Sequence, residues 1–230
     1  ILLGGTEEQK SALLPRIASG DLLVSLALEE GSHHNPTAIA TTAAPQQDGY
    51  VINGCKVHVI DGHVADQFIV VARTGGATGD EQGISLFMVQ RARRGVAVAR
   101  RMMVDSRNMA EVRLQDVKVS RDDLLGELHQ GYSLLNRILD RGNIALAAEM
   151  LGSLQAAFER TMDYLKQRKQ FGQLIGSFQA LQHRAAKMFC EIELSKSVVH
   201  KALQAIDEDA ANISLMASLA KVQVAETFRL

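Results

Sequence analysis

Apolar residues change their spacing twice along the chain, and the changes predict three parts. Thr6-Glu7-Glu8-Gln9 has the form of a capping box, in which Thr and Gln satisfy each other's backbone N–H groups; it opens a helix predicted to run to about Ile17. Ser19-Gly20-Asp21 closes it. From Leu22 the pattern becomes that of short strands, predicted at 22–28, 38–44, 50–60, 67–73, 84–90, 96–101 and 111–119. Asp48-Gly49, Asn53-Gly54 and the stretch 74–83 supply turn signals, and Asn53-Gly54 is the strongest hairpin signal among them. Short strands without long helices between them imply an antiparallel sandwich or barrel over about 22–125. From Tyr132 apolar residues recur every three or four positions, predicting a helix to Gln167 with weak points at Gly142 and Gly152. A second helix is predicted at 178–206, ended by Asp207-Glu208-Asp209, and a third from about Ala210 that is still in progress at Leu230. Helices this long pack side by side as an antiparallel bundle. The expected fold is therefore α+β and multidomain, divided at 1–21, 22–125 and 126–230.

Composition narrows the function classes. With 47% hydrophobic and 22% charged residues in 230, the chain has ample core for an ordinary globular protein. A formal net charge of -1 and the lack of a dense Lys/Arg cluster give no footprint for nucleic acid. Cys55 and Cys190 form no CxxC pair and read as buried small hydrophobes in a reducing compartment, such as a bacterial cytoplasm. No apolar run reaches the length of about 18 residues that a membrane span needs. The N-terminus has neither an initiator Met nor a basic leader, and the third helix runs to the last residue, so the chain is expected to be cut from something longer.

The connection between the two long helices, 168–179, does not look like a plain turn. Arg168 offers a permanently charged fork suited to phosphate oxygens, Phe171 a flat face, and Gly172 room for close backbone approach. Phe178-Gln179 adds a second aromatic–amide pair. These residues suit a phosphate- and ring-bearing ligand; the plainer alternative is a glycine-capped helix end with Phe171 in the core. Other candidates have plain explanations. His33-His34 lacks the spacing of a closed metal site. Arg91-Ala92-Arg93-Arg94 with Arg100-Arg101 reads as a solvated hairpin end more readily than as a phosphate patch, and Met102-Met103 as core filling.

The order of parts, with Tyr50-Val51-Ile52-Asn53-Gly54-Cys55-Lys56, Leu114-Gln115-Asp116-Val117-Lys118-Val119 and Arg168-Lys169-Gln170-Phe171-Gly172, resembles the acyl-CoA dehydrogenase family over essentially the whole chain. These segments are similar to that family's (Y/W)-x-I-N-G-x-K, F-x-D-V-x-V and R-x-x-F-G motifs. Gly5-Thr6-Glu7-Glu8-Gln9-Lys10 with Leu14-Pro15 looks like the end of its N-terminal helical domain. Leu28-Glu29-Glu30-Gly31 matches T-E-P-G-A-G-S-D only in part.

The resemblance implies FAD as cofactor, an acyl-CoA substrate and α,β-desaturation of its thioester. It also implies an electron-accepting flavoprotein and an oligomer, homo- or heteromeric, with FAD at the subunit interface. Arg168 and Phe171 would meet the pyrophosphate and adenine side of a neighbouring subunit's FAD, with Gln179 near the same cofactor. Leu28, His34, His58 and Ile60 stand at the flavin and phosphate side. There the family has a hydroxyl residue at Leu28, Ser at His34 and W-I-(T/S) at His58-Val59-Ile60. The expected catalytic Glu lies beyond Leu230; an alternative family position falls at Gly142, followed by Asn143 instead of Arg. The nearby carboxylates Asp140 and Glu149 read as surface ion-pair residues. A catalytically silent partner subunit that keeps the FAD-clamping edge is the alternative reading.

Overall fold

The computed structural model describes residues 1–105 and 107–230. By its contacts the chain forms two units, Ile1–Leu135 and Asn136–Leu230.

The first unit opens with α1 (Glu7–Ser19), started by the predicted capping box and ended by Gly20 in the left-handed conformation, φ 81°. Gln9 both completes the box and donates from Nε2 to the carbonyl oxygens of Asp122 and Leu124, at 2.8 and 3.0 Å. One polar side chain thus starts the helix and ties it to the β region.

The strands are β1 (Val24–Ala27), β2 (Thr42–Gln46), β3 (Gly49–Ile60), β4 (Gln67–Arg73), β5 (Ile84–Gln90), β6 (Val96–Met102), β7 (Asn108–Ser120) and β8 (Leu124–Leu125). They pair in the order β6-β7-β3-β2-β4-β5-β8, with β1 beside β4. Pairing is antiparallel except between β1 and β4 and at the one β2–β4 pair, Thr42 with Arg73. Alternate residues turn inward to a core that includes Ala27, Ile52, Phe68, Phe87, Val112 and Val117.

Several expectations need correcting here. Asn53-Gly54 does not make a hairpin turn; it lies inside β3, and the β2–β3 turn is Gln47-Asp48. Asn53 accepts from the Asp116 N–H at 2.8 Å and donates to Asp116 Oδ1 at 3.3 Å, while Gly54 makes room for Thr41, whose side chain lies 2.3–2.7 Å from where a Cβ would stand. The pair serves β-bulge geometry and close packing instead of chain reversal. The strand predicted at 38–44 begins only at Thr42, because the backbone groups before it are held by buried side chains (below). Met102 is not core: it is 77% exposed at the end of the edge strand β6. Cys55 is partly exposed, on the face of β3 turned away from the core, and Cys190 is exposed in the helical region that follows, so neither is the buried hydrophobe expected.

The helix α2 (Gly131–Gln167) passes from the first unit into the second, unbroken by Gly142 or Gly152. The second unit continues with α3 (Gln179–Asp207) and α4 (Ile213–Thr227). Its core is rich in small residues, with Ala147, Ala202, Ala205, Ala217 and Ala220 among Ile144, Val199 and Val224. Small side chains at such contacts set short interaxial distances. A buried Ser195–Thr227 hydroxyl pair, 3.0 Å apart, is satisfied within this core. α4 closes at Thr227 and does not continue to Leu230: the last two N–H groups bond three residues back, to Glu226 and Thr227, in tightened turns.

Candidate cofactor-binding surfaces

Between α2 and α3 the chain makes a two-stranded hairpin, β9 (Lys169–Gln170) with β10 (Gln173–Leu174), joined by Phe171-Gly172. Both turn residues have positive φ, 52° and 80°, as a type I′ turn requires. Glycine adopts this freely; a phenylalanine does not, and the left-handed region costs a residue with a Cβ about 1–2 kcal/mol. Phe171 is also 90% exposed, against the alternative that placed it in the core; its ring meets Phe178 edge-on, centroids 6.2 Å apart. A hydrophobic ring thus stands in solvent on a strained backbone, a combination that packing among the described residues does not account for.

The hairpin is firmly held. Arg168 N–H donates to Tyr164 O at 2.9 Å, and Ile175 N–H to Arg168 O at 2.8 Å. Gly176 lies so close to the end of α2 that a Cβ would come 2.8 Å from Leu165 O. Ser177 and Gln182 side chains donate to Leu174 O and Gly176 O, at 2.6 and 3.0 Å. Arg168 and Gln179 are exposed, and Arg168 has no ion-pair partner among the described residues. Cation, ring and amide are therefore presented outward by a fixed backbone.

In the first unit, the β3–β7 pairing carries a second bulge, this one on β3. Lys56 pairs with Val112 and Val59 with Ala110, so β3 has one residue more than β7 between these pairs, and His58 takes φ 51°. The extra residue keeps Val59 in the core and turns His58 and Ile60 outward, Ile60 being 56% exposed. The Ile60 carbonyl accepts from the Ser25 hydroxyl. Leu28 is buried, and its carbonyl accepts from Lys56 Nζ at 3.1 Å. Neither carbonyl is idle, and neither side chain offers a hydrogen bond. His34, in the loop after β1, is paired with Glu29: Nδ1 and Oε1 are 2.6 Å apart. The residues brought together on this unit are thus apolar at Leu28 and Ile60 and imidazole-bearing at His34 and His58.

Nothing carboxylic projects at position 142. Gly142 faces open space, Asp140 accepts from the Ser214 hydroxyl instead of making an ion pair with a cation, and Asn143 Oδ1 accepts from Lys221 at 3.1 Å. The Arg-rich stretch is occupied structurally: Arg91 bonds His63 O, Arg93 pairs with Asp123 at 2.8 Å, and Arg101 pairs with Glu111. Arg101 and Arg113 together hold the Glu111 carboxyl below its ordinary value, through hydrogen bonds first.

The sequence reading missed two features. One is a groove of about 1120 Å³ beside the loop 75–83, with His129, Gln130 and Tyr132 on its other wall. Its rim carries Asp80 and Glu81, which disfavours polyanionic ligands there. The other is the buried Lys56–Glu30 pair, 2.6 Å apart. Lys56 was visible only as part of a motif; an alternating strand pattern does not reveal a lysine turned inward.

A mixed, mostly antiparallel β domain followed by a long-helix bundle, carrying an exposed Arg–Phe–Gly hairpin, defines a family. Residues 26–117 match the model "Acyl-CoA dehydrogenase, middle domain", and residues 129–230 match "Acyl-CoA dehydrogenase, C-terminal domain". The chain belongs to the acyl-CoA dehydrogenase family. It is 35% identical over 230 residues to the 3-(aryl)acrylate reductase of Clostridium sporogenes, covering 98% of this chain and 60% of that protein. It is 32% identical to a subunit of the caffeyl-CoA reductase-Etf complex of Acetobacterium woodii, with shares of 98% and 60%. Among solved structures, butyryl-CoA dehydrogenase from Megasphaera elsdenii superposes with a TM-score of 0.92 at 31% identity, over 99% of this chain and 60% of that one. The chain thus spans about 60% of the length of these relatives.

Proposed function

We propose that this chain is the middle and C-terminal helical part of an FAD-dependent acyl-CoA dehydrogenase, with 1–21 as the end of an N-terminal helical domain, 22–125 as the β domain and 126–230 as bundle. The reaction removes a proton from the carbon α to a thioester and a hydride from the β carbon. FAD, when bound, would supply the hydride acceptor, and an electron-accepting flavoprotein would be the partner that reoxidises it. The observation that carries the reading is the Arg168–Phe171 hairpin: a guanidinium without an ion-pair partner among the described residues and a strained, solvent-standing ring on a fixed backbone. Both suit a dinucleotide, with Arg168 on the pyrophosphate, Phe171 beside the adenine and Gln179 near by. A relative named as a dehydrogenase and another named as a reductase support hydrogen transfer across a carbon–carbon bond as the class, without choosing its direction.

On the flavin side the fit is poorer. His34, held by Glu29, can face a phosphate, and the outward-turned His58 and Ile60 would stand on the flavin side. Leu28 and Ile60 supply no side-chain donor there, and both carbonyls are engaged. With Gly142 in place of a base, this favours a second reading: a subunit of a heteromer that clamps FAD while an associated chain carries the reacting site. The relative named as a subunit of a reductase-Etf complex makes an assembly of unlike chains a reasonable setting. Its place would be a reducing compartment such as a bacterial cytoplasm.

The test is the visible absorption of the full-length protein. A yellow protein whose flavin bleaches anaerobically with an acyl-CoA supports the first reading. A colourless folded protein that turns yellow only with a co-expressed second subunit supports the other. No flavin in either case overturns both. Arg168→Ala, at an exposed position whose side chain has no ion-pair partner among the described residues, should change stability by no more than about 0.5 kcal/mol while weakening FAD retention.

A further inference from the structure

Lys56 has no solvent-exposed surface, yet its ammonium lies at the centre of a network that the motif does not announce. Nζ donates to Glu30 Oε1 at 2.6 Å and to the Leu28 carbonyl at 3.1 Å. The Glu30 carboxylate in turn accepts from the backbone N–H groups of Ala40, at 2.7 Å, and Thr41, at 3.0 Å. One ion pair therefore grips both ends of the segment from Leu28 to Thr41, ten residues apart at Glu30 and Ala40. A second buried cation holds the interior: the Arg73 guanidinium donates to the carbonyls of Thr37 at 3.0 Å and Ile39 at 3.1 Å. Thr41 is wedged against Gly54. Between these anchors residues 31–35 stand in solvent, with His34 among them.

The arrangement is costly for a mere loop closure. The buried ammonium and the half-buried carboxylate each lose hydration, and an apolar pair of similar volume would fill the space at less expense. What an apolar pair cannot do is accept two backbone N–H groups and hold a carbonyl, all at fixed points. We infer that Lys56 and Glu30 are positioning residues: they set the path of the 28–41 segment and thereby the place of His34 and of the Leu28 backbone against the cofactor. The second half of this statement rests on the FAD reading; the first does not.

The experiment uses the full-length protein and compares wild type, Lys56→Met and the double variant Lys56→Met/Glu30→Leu. Three quantities are read: melting temperature, amide hydrogen exchange of residues 31–41, and FAD affinity with the shape of the flavin absorption band. Lys56→Met should melt early, because it strands a carboxylate. The double variant should recover melting temperature, yet exchange Ala40 and Thr41 amides much faster than wild type. It should also bind FAD roughly tenfold more weakly with an altered band, the order expected when hydrogen bonds to a charged group are lost. A double variant with wild-type exchange across 31–41 overturns the positioning role, and so does one with a loosened loop but unchanged FAD affinity and band. A wild type without FAD would instead overturn the functional reading, and loop exchange alone would then decide whether the pair fixes the segment.

Discussion

Phe171 carries the clearest residue-scale prediction. It is held at φ 52° and is 90% exposed, so its side chain gives the fold almost no burial while its backbone is strained. Phe171→Gly should leave stability unchanged or raise it by about 1 kcal/mol, whereas Phe171→Ala keeps the Cβ and the strain. Both should lose FAD retention, checked by melting and by flavin content after gel filtration; a glycine variant that holds FAD as well as wild type would remove the ring from the site. The arginine and the ring were legible as a pair in Arg168-x-x-Phe171-Gly172, but the exposure of the ring was not, since sequence alone left a core position open. Lys56 shows the opposite case. Removing its charge while Glu30 stays ionised and half-buried should cost about 1–3 kcal/mol in a denaturant melt, and nothing in the alternation of β3 singles it out as the inward-turned lysine.

At the scale of elements, two bulges shape the β3–β7 pairing. One is on β7, where Asp116 takes φ 51° opposite Asn53, and the other is on β3 at His58. Asn53→Ala removes both links to Asp116 and should cost about 1–2 kcal/mol. Gly54→Ala places a Cβ 2.3 Å from Thr41 Oγ1 and 2.6 Å from its Cβ. Overpacking of that kind should cost about 1–3 kcal/mol, read from the thermal midpoint by circular dichroism. A Gly54→Ala variant as stable as wild type would mean that Thr41 can move aside. Asn-Gly is a turn signal because both residues tolerate positive φ, and it misled here because the same two residues also suit a bulge and a close approach. The long helices were legible almost to the residue, α2 ending at the predicted Gln167, since a periodic pattern over many turns leaves little freedom.

At the scale of the molecule, the acid limb of stability should report the Glu30 network. Burial would push this carboxyl up; the Lys56 charge and the hydrogen bonds from Lys56, Thr41 and Ala40 outweigh it and hold the carboxyl below its ordinary value of 4.5. A carboxyl depressed in the folded state contributes stability that is fully present above its unfolded value and is lost as pH falls through the folded one. Melting followed from about pH 7 to about pH 3 should therefore show a loss below 4.5 that is smaller in the Lys56→Met/Glu30→Leu variant. Equal acid slopes in the two proteins would place the dependence on other carboxylates. Assembly belongs to this scale too: by the family reading the cofactor is clamped by a neighbouring subunit, so Arg168→Ala should weaken FAD retention and FAD-dependent association together, measured by sedentitation of the loaded and stripped protein.

The pattern of apolar spacing determined by itself where strands give way to helices, which helices are long, where α1 starts, and that a charged, aromatic connection joins α2 to α3. These follow from local rules, since capping, periodicity and turn chemistry act over a few residues. Tertiary structure alone decided that Asn53-Gly54 lies inside β3 opposite a bulge of β7, that Phe171 stands in solvent, that Met102 and Cys190 are exposed, and that Lys56 points inward to Glu30 and the 28–41 segment. Each of these depends on which distant backbone comes to lie beside the residue, and sequence spacing carries no information about that neighbour.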